Sequence, residues 1–358
     1  MSHSNYKFPY KWILADGYPA KGIEPNGCKV FGTFICGGGS TMGYKLAGFD
    51  HLGGVEIDKK VAQVYEANHK PKHLYNEDIR LFNQRTDLPS ELYELHILDG
   101  SPPCSTFSMV GSREKAWGKE KQFREGQVMQ TLDDLVFVYC DTIIKLQPKV
   151  FILENVKGII QGNAKVYSKN IVKKMQDASY TVQVFCLNAA SMGVPQKRER
   201  VFFIGYRKDL NFGKLVLSFN EKPITFGEYR NGSNKSLEKQ TTEKAKLWYN
   251  VKAGNCFATA HKTKAFFNDY KLSSLCVCPT LTADKGHGAW DYEFCRMLDK
   301  IELQQIGTYA LDYDFQSIEP KYLIGMSVPP VMTAQISHQI WLQWLSKLYK
   351  PTPPELPF

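Results

Sequence analysis

Between Leu98 and Phe107 the chain reads LDGSPPCSTF, which sets one thiol directly behind two prolines. The apolar run His96–Asp99 predicts a short buried strand, and Gly100 to Pro103 predict an abrupt, rigid turn at its end. Proline fixes φ and carries no N–H, so Pro102 and Pro103 keep this loop from joining a helix. Cys104 then stands at the carboxyl end of a strand, where open α/β sheets hold their ligands. A thiol held there suits a nucleophile, whereas a lone cysteine elsewhere usually fills space in a core. This segment by itself leaves both readings open.

A second set of residues reads as the seat of a cofactor. FICGGGSTMG, Phe34 to Gly43, joins a predicted strand to a predicted helix. Glycines there permit close backbone approach, and a helix N-terminus offers unpaired N–H groups. Glu56, in VEID, ends the next predicted strand, the usual place for a carboxylate that binds ribose hydroxyls. Asp78, in NEDIR, ends what reads as a further strand. It would accept from an adenine amine or, as a plainer role, cap a helix. The three features in chain order point to an adenosine-containing cofactor. The glycines do not spell GxGxxG, which disfavours a nicotinamide dinucleotide.

These groups need a frame to hold them. Strands are predicted at Val30–Ile35, Gly53–Ile57, His96–Asp99, Val150–Glu154, Val182–Leu187 and Arg200–Gly205. Helices are predicted near Thr41–Ala47, Lys59–Asn68, Leu132–Leu146 and Ile171–Ala178. Such alternation implies an α/β fold: a Rossmann-like, doubly wound, mostly parallel sheet with helices on both faces. After Tyr206 the rhythm breaks into a smaller loop-rich lobe with short strands. Lys300–Gly307 reads as a helix and Thr333–Leu348 as an amphipathic helix, before a proline-rich tail.

Composition bounds the class. The 358 residues, 43% hydrophobic and 23% charged, suit a globular protein of two lobes. No apolar run approaches the ~20 residues that span a bilayer, and MSHSNYKFPYKW lacks the apolar core of a secretory signal. The nine cysteines include no CxxC pair. They read as reduced thiols of an intracellular protein, with neither a disulfide frame nor a metal site. Net charge is +9, and Tyr206 to Leu275 carries 13 Lys and Arg against 6 Asp and Glu. That concentration fits a phosphate-rich partner or, more plainly, a solvated lysine-rich surface.

Taken together, the motifs resemble the cytosine-C5 DNA methyltransferases. Phe34, Gly38, Gly39 and Gly43 match that family's first motif, Glu56 the second, and Asp78 with Ile79 the third. Pro102-Pro103-Cys104 matches its nucleophile signature, and Glu154-Asn155-Val156 its ENV motif. Gly193 to Gln196, with Arg198 and Arg200, match GVPQxRxR, and Pro279 to Thr282 the ninth motif. Gly325 and Ser327 to Pro330 match the tenth, so the order runs from about Val30 to His338. Cys36, Ser105 and Met326 stand where the family commonly has Gly, Gln and Asn.

The resemblance implies S-adenosylmethionine as cofactor, held by Phe34, Gly38, Gly39, Glu56, Asp78, Ile79, Pro103, Ser327 and Val328. It implies that Cys104 adds to carbon 6 of a flipped cytosine while Glu154 relieves charge at N3. Arg198 and Arg200 would act as catalytic cations that raise the thiolate fraction of Cys104 or, more plainly, be surface or salt-bridge arginines, with Asn155 and Gln196 as structural support and no metal. Ser105 to Gly126 is expected to be a mobile loop over DNA, or a plain surface loop. The implied organisation is an extension of unassigned role at 1–27 and a catalytic and cofactor domain at 28–205. A target-recognition domain at 206–317 and a segment returning to the catalytic domain at 318–358 complete it. Double-stranded DNA is the implied partner, with no membrane. The protein is expected to be a cytoplasmic monomer from a prokaryote or phage, with a cognate restriction endonuclease as a candidate counterpart. Two alternatives remain: a transfer-RNA cytosine-C5 methyltransferase on the same fold, and a catalytically inactive DNA-binding relative.

Overall fold

The computed structural model describes residues 6–103, 120–121, 130–131, 135–232, 242–284 and 288–349. Its centre is a seven-stranded sheet. In chain order the first strands are β1 (Lys29–Thr33), β2 (Asp50–Val55), β3 (His73–Tyr75) and β4 (Ile97–Gly100). A two-residue pair, β5 (Glu120–Lys121) and β6 (Gln130–Thr131), lies apart from the sheet. Then come β7 (Val150–Val156), β8 (Tyr180–Asn188), the short β9 (Gln196–Lys197) and β10 (Glu199–Arg207). The sheet order is β3-β2-β1-β4-β7-β10-β8. β10 alone runs against its neighbours β7 and β8; the pairings among β3, β2, β1, β4 and β7 are parallel.

Alternate residues of the central strands feed two cores. Val30, Ile97, Val150, Ile152, Phe202 and Ile204 face one cluster, while Phe31, Leu98, Phe151, Leu153, Val201 and Phe203 face the other. Burial on both sides explains why these strands read as continuous apolar runs. The first cluster takes in α1 (Gly39–Leu46) and residues of α2 (Lys59–His69). The second takes in α3 (Ile79–Gln84), α4 (Leu135–Leu146) and α5 (Lys165–Asp177). Helices therefore cover both faces, the doubly wound arrangement expected. Small differences have local causes. β3 stops at Tyr75, because Asp78 is the N-cap of α3 and accepts from Arg80 N at 2.7 Å. α5 begins at Lys165, ahead of the predicted Ile171; its first turns bury none of their residues, and their apolar Val166 is exposed.

Beyond β10 the chain forms the short helices α6 (Phe226–Tyr229) and α7 (Glu243–Asn250), then the two-residue strands β11 (Tyr270–Lys271), β12 (Cys278–Pro279) and β13 (Ala289–Trp290). Ala245, Leu247, Trp248, Val251, Phe257, Trp290 and Cys295 form a separate small core. By contrast, Phe212, Leu215, Phe226, Tyr229 and Leu298 join the main cluster. The chain ends in α8 (Lys300–Ile306), α9 (Pro320–Met326) and α10 (Pro330–Gln343).

α10 departs from the expected amphipathic helix. Pro330 to Ser337, Gln339 and Ile340 are all buried. α1 lies against one side, where Gly43 leaves room for Pro330 O. Phe8, from the N-terminal stretch, packs its ring 5.9 Å from that of His338. The polar residues that suggested a wet face instead bond inside the protein, as Gln335 does with Glu221. The helix also stops before Leu348, with a 3-10 turn over Leu345–Tyr349.

Residues 6–27 belong to this main core as well. Trp12 is buried and donates from Nε1 to Thr308 O at 2.9 Å. The backbone N–H groups of Leu14 and Ala15 both bond the Asp312 carboxylate.

Candidate active site

The carboxyl ends of β1, β2, β4 and β7 open into one cavity of about 370 Å³. It lies where the strand order turns back between β1 and β4, the position at which doubly wound sheets bind ligands. α1 points its first turn into it through Gly39, Ser40 and Thr41.

One end is walled by Phe34, Glu56, Asp78, Ile79, Ser327 and Val328. Glu56 follows β2 directly; its two carboxyl oxygens accept from Asp58 N at 2.8 Å and Cys36 N at 3.0 Å. Burial pushes this carboxyl up to about 7 against those hydrogen bonds. Asp78 combines two roles, lining the cavity while capping α3 and pairing with Arg80 at 3.1 Å. Gly39 is required by packing: a Cβ there would lie 2.4 Å from Val328 O. Gly38, at φ 74°, faces the His69 ring and does not line the cavity. The glycines thus admit the protein's own His69 and Val328, more than they admit a ligand. Ser327 is held by Leu323 O and the Tyr309 hydroxyl. A buried carboxylate beside apolar walls and a helix N-terminus fits an adenosine-type ligand.

The other end holds Pro102, Pro103, Glu154, Asn155, Arg198 and Arg200. Glu154 sits on β7, which runs parallel to β4, the strand that leads into Pro102-Pro103. Its carboxylate pairs with Arg200 Nε at 3.0 Å from the adjacent β10, and both side chains are nearly buried. Burial lowers the Arg200 guanidinium, and Glu154 opposes that effect. Glu154 is thus an ion-pair partner. Arg198 donates to Leu281 O at 3.1 Å and Gly325 O at 3.0 Å, so it joins the ninth and tenth motif segments. Burial, with Arg200 beside it, brings Arg198 down to about 9, which leaves it charged at neutral pH.

Asn155 donates from Nδ2 to Pro102 O at 3.4 Å, and its own Oδ1 accepts from Val156 N. Gln196 lies off the cavity; its Oε1 accepts from Leu281 N at 3.1 Å, beside the β9–β12 pairing. Cys104 lies outside the described residues, as does most of the Ser105 to Gly126 loop.

Several lining residues escaped sequence reasoning: Ser40, Thr41, Asp99, Leu135 and Tyr322. Asp99 carried the clearest signal, an acid inside an otherwise apolar strand. Tyr44 donates to its Oδ1 at 3.0 Å, and the Ser40 hydroxyl bonds it as well. Tyr322 carried none, because it reaches the cavity from α9, far along the chain.

Comparison with known proteins places this arrangement. The C-5 cytosine-specific DNA methylase family profile matches residues 29–341. The type II methyltransferase M.FnuDI of Fusobacterium nucleatum is 36% identical over 191 residues, 53% of this chain and 50% of the relative. The chain thus spans half the length of that relative. The type II methyltransferase M1.HphI of Haemophilus parahaemolyticus is 26% identical over 337 residues, 86% of this chain and 85% of the relative. Among solved structures, a mutant of Spodoptera frugiperda DNMT2 superposes with a TM-score of 0.63 at 17% identity, covering 88% of this chain and 99% of that one. At that identity the likeness is one of fold.

Proposed function

The chain belongs to the C-5 cytosine-specific DNA methylase family, and from that premise we propose that it methylates carbon 5 of cytosine in a specific double-stranded DNA sequence, with S-adenosylmethionine as donor. The observation that carries this reading is the cavity itself. The Glu56 end suits an adenosine ligand, and the Glu154–Arg200 pair borders the loop that leads to Cys104.

Phe34, Gly39, Glu56, Asp78, Ile79, Pro103, Ser327 and Val328 would hold the donor, which supplies an electrophilic methyl group when bound. The target base must first leave the duplex, since its reacting atoms are shielded by stacking. The Cys104 sulfur then bonds carbon 6, and the ring's electron pair moves to carbon 5. Glu154 hydrogen-bonds or protonates N3 and so spreads the charge that the addition creates. Arg200 fixes the direction of that carboxyl. Once carbon 5 carries the methyl group, loss of its proton returns the electron pair and expels the Cys104 sulfur. Asn155 steadies the Pro102 carbonyl, and Arg198 and Gln196 tie the distant motifs to the cleft.

In the same reading, residues 206–317 form the DNA-reading lobe, with phosphates gripped by the basic stretch. The enzyme would act inside the cell as a monomer, as the modification half of a restriction–modification system. Among the described residues, no helix is long and apolar enough to cross a membrane.

The test is incubation with labelled S-adenosylmethionine and mixed-sequence duplex DNA. Label in cytosine supports the reading, and label only in adenine overturns it. A parallel arm with transfer RNA that takes up label while DNA does not would move the substrate to RNA. A 5-fluorocytosine duplex should trap a covalent adduct; binding without an adduct points to an inactive relative.

A further inference from the structure

Asp99 has no place in any of the motifs above, yet it occupies the middle of the cleft. It is the third residue of β4, in register with Gly32 of β1 and Ile152 of β7. Ile97 of the same strand packs in the α1 core, so the period-two alternation turns Asp99 to that face, as it turns Glu154 on β7. The residue is 7% exposed and lines the cavity. Its hydrogen bonds come from two neutral hydroxyls of α1, Tyr44 and Ser40.

A buried carboxylate is costly unless a cation matches it. Glu154 has Arg200 at 3.0 Å. Among the described residues, no Lys, Arg or His lies within ion-pair distance of Asp99. Burial and the nearby Glu154 together push its carboxyl up to about 7, with burial the larger cause. Among the described residues, then, no cation matches this carboxyl, whose strand β4 lies between β1 and the Glu154 strand β7. On the reading proposed above, the donor brings positive charge in its methionine part alone, at the sulfonium and the ammonium.

We propose that Asp99 is the counter-ion for the cationic methionine part of S-adenosylmethionine. The role rests on the donor assignment above and adds to it a residue that selects for charge. The hydroxyls of Ser40 and Tyr44 aim the carboxylate and satisfy it before the ligand arrives. Asp99 is thus a cofactor-binding residue with no part in the bond changes at the base.

The test is equilibrium binding at pH 8 without DNA, comparing wild type with Asp99→Asn, which keeps an acceptor for Tyr44 and removes the charge. Three ligands separate the possibilities: S-adenosylmethionine, S-adenosylhomocysteine and the uncharged methylthioadenosine. Asp99→Asn should weaken S-adenosylmethionine about tenfold or more, as expected for a lost charge-assisted contact, and leave methylthioadenosine unchanged. Weakening of both charged ligands would place the partner at the ammonium, and weakening of S-adenosylmethionine alone at the sulfonium. Either result supports the proposal. Equal loss for all three ligands, or no loss for any, overturns it while the donor assignment stands. A wild-type protein that binds no S-adenosylmethionine overturns both. Asp99→Ser carries the same comparison if the Asn variant does not accumulate.

Discussion

At the scale of single residues, chemistry is divided between side chains whose surroundings differ sharply. Glu154 is held by Arg200 on the neighbouring strand. Glu154→Gln should therefore bind cofactor normally while turnover falls about 10²- to 10⁴-fold, the usual share of general acid–base assistance; steady-state rates with labelled donor check this. On the proposed mechanism, Cys104→Ser should abolish methyl transfer and adduct trapping and leave donor affinity unchanged, because that mechanism gives the thiol no role toward the adenosine. Loss of both would assign Cys104 to packing.

Glu56 carries a pH signature. Its folded value, raised from 4.5 to about 7 by burial, means that the folded protein holds this proton more tightly than the unfolded chain does. The contribution of Glu56 to stability then declines as pH rises through that window, because the unfolded chain releases the proton first. Asp99 adds a decline of the same sign, while His51, His69 and His96, lowered from 6.5 by burial, oppose it. The Glu56 share is therefore read as the difference in thermal stability between ligand-free wild type and Glu56→Gln, which should shift in favour of the variant as pH rises. An identical slope in the variant would remove Glu56 as the cause.

At the scale of elements, the site depends on contacts between pieces distant in sequence. α1 starts against Val328, with no space for a side chain at Gly39. Gly39→Ala forces the helix and the 327–328 segment apart. We expect destabilisation of about 1–3 kcal/mol, as for other overpacked positions, together with weaker donor binding. Chemical denaturation and calorimetry read the two effects separately. The strands and helices of the seven-stranded sheet region were legible because parallel strands buried on both faces leave apolar runs, as at Val150 to Leu153. α10 was misread as amphipathic because Thr333, Gln335, Ser337 and Gln339 look solvated in a linear pattern but are buried in the fold. No periodicity can report that a second helix and a terminal stretch cover the polar side.

At the scale of the whole molecule, segments far apart in the chain close on each other. Residues 6–27, for which the sequence suggested no task, pack against the 308–313 region and α10. Trp12→Ala should cost about 3–5 kcal/mol, the range for a buried tryptophan, and an unchanged unfolding midpoint would contradict that packing. The charge pattern acts at this scale too. If the basic 206–275 stretch grips phosphates, DNA affinity must fall linearly in log–log form as salt rises. A flat salt dependence would leave that stretch a solvated surface.

The order of motifs, the glycine turn and the residue types at Glu56, Cys104 and Glu154 were determined by the sequence alone, because they follow from local spacing and from chemistry that tolerates few substitutes. The tertiary structure decided what surrounds them. It set Arg200 rather than Arg198 against Glu154, turned Arg198 into a clasp on Leu281 and Gly325, and gave the α1 glycines to His69 and Val328. It also left Asp99 facing the cleft from an apolar strand. The physical reason is that desolvation and pairing are set by neighbours in space, which lie far apart in the chain, as Arg198 and Gly325 do.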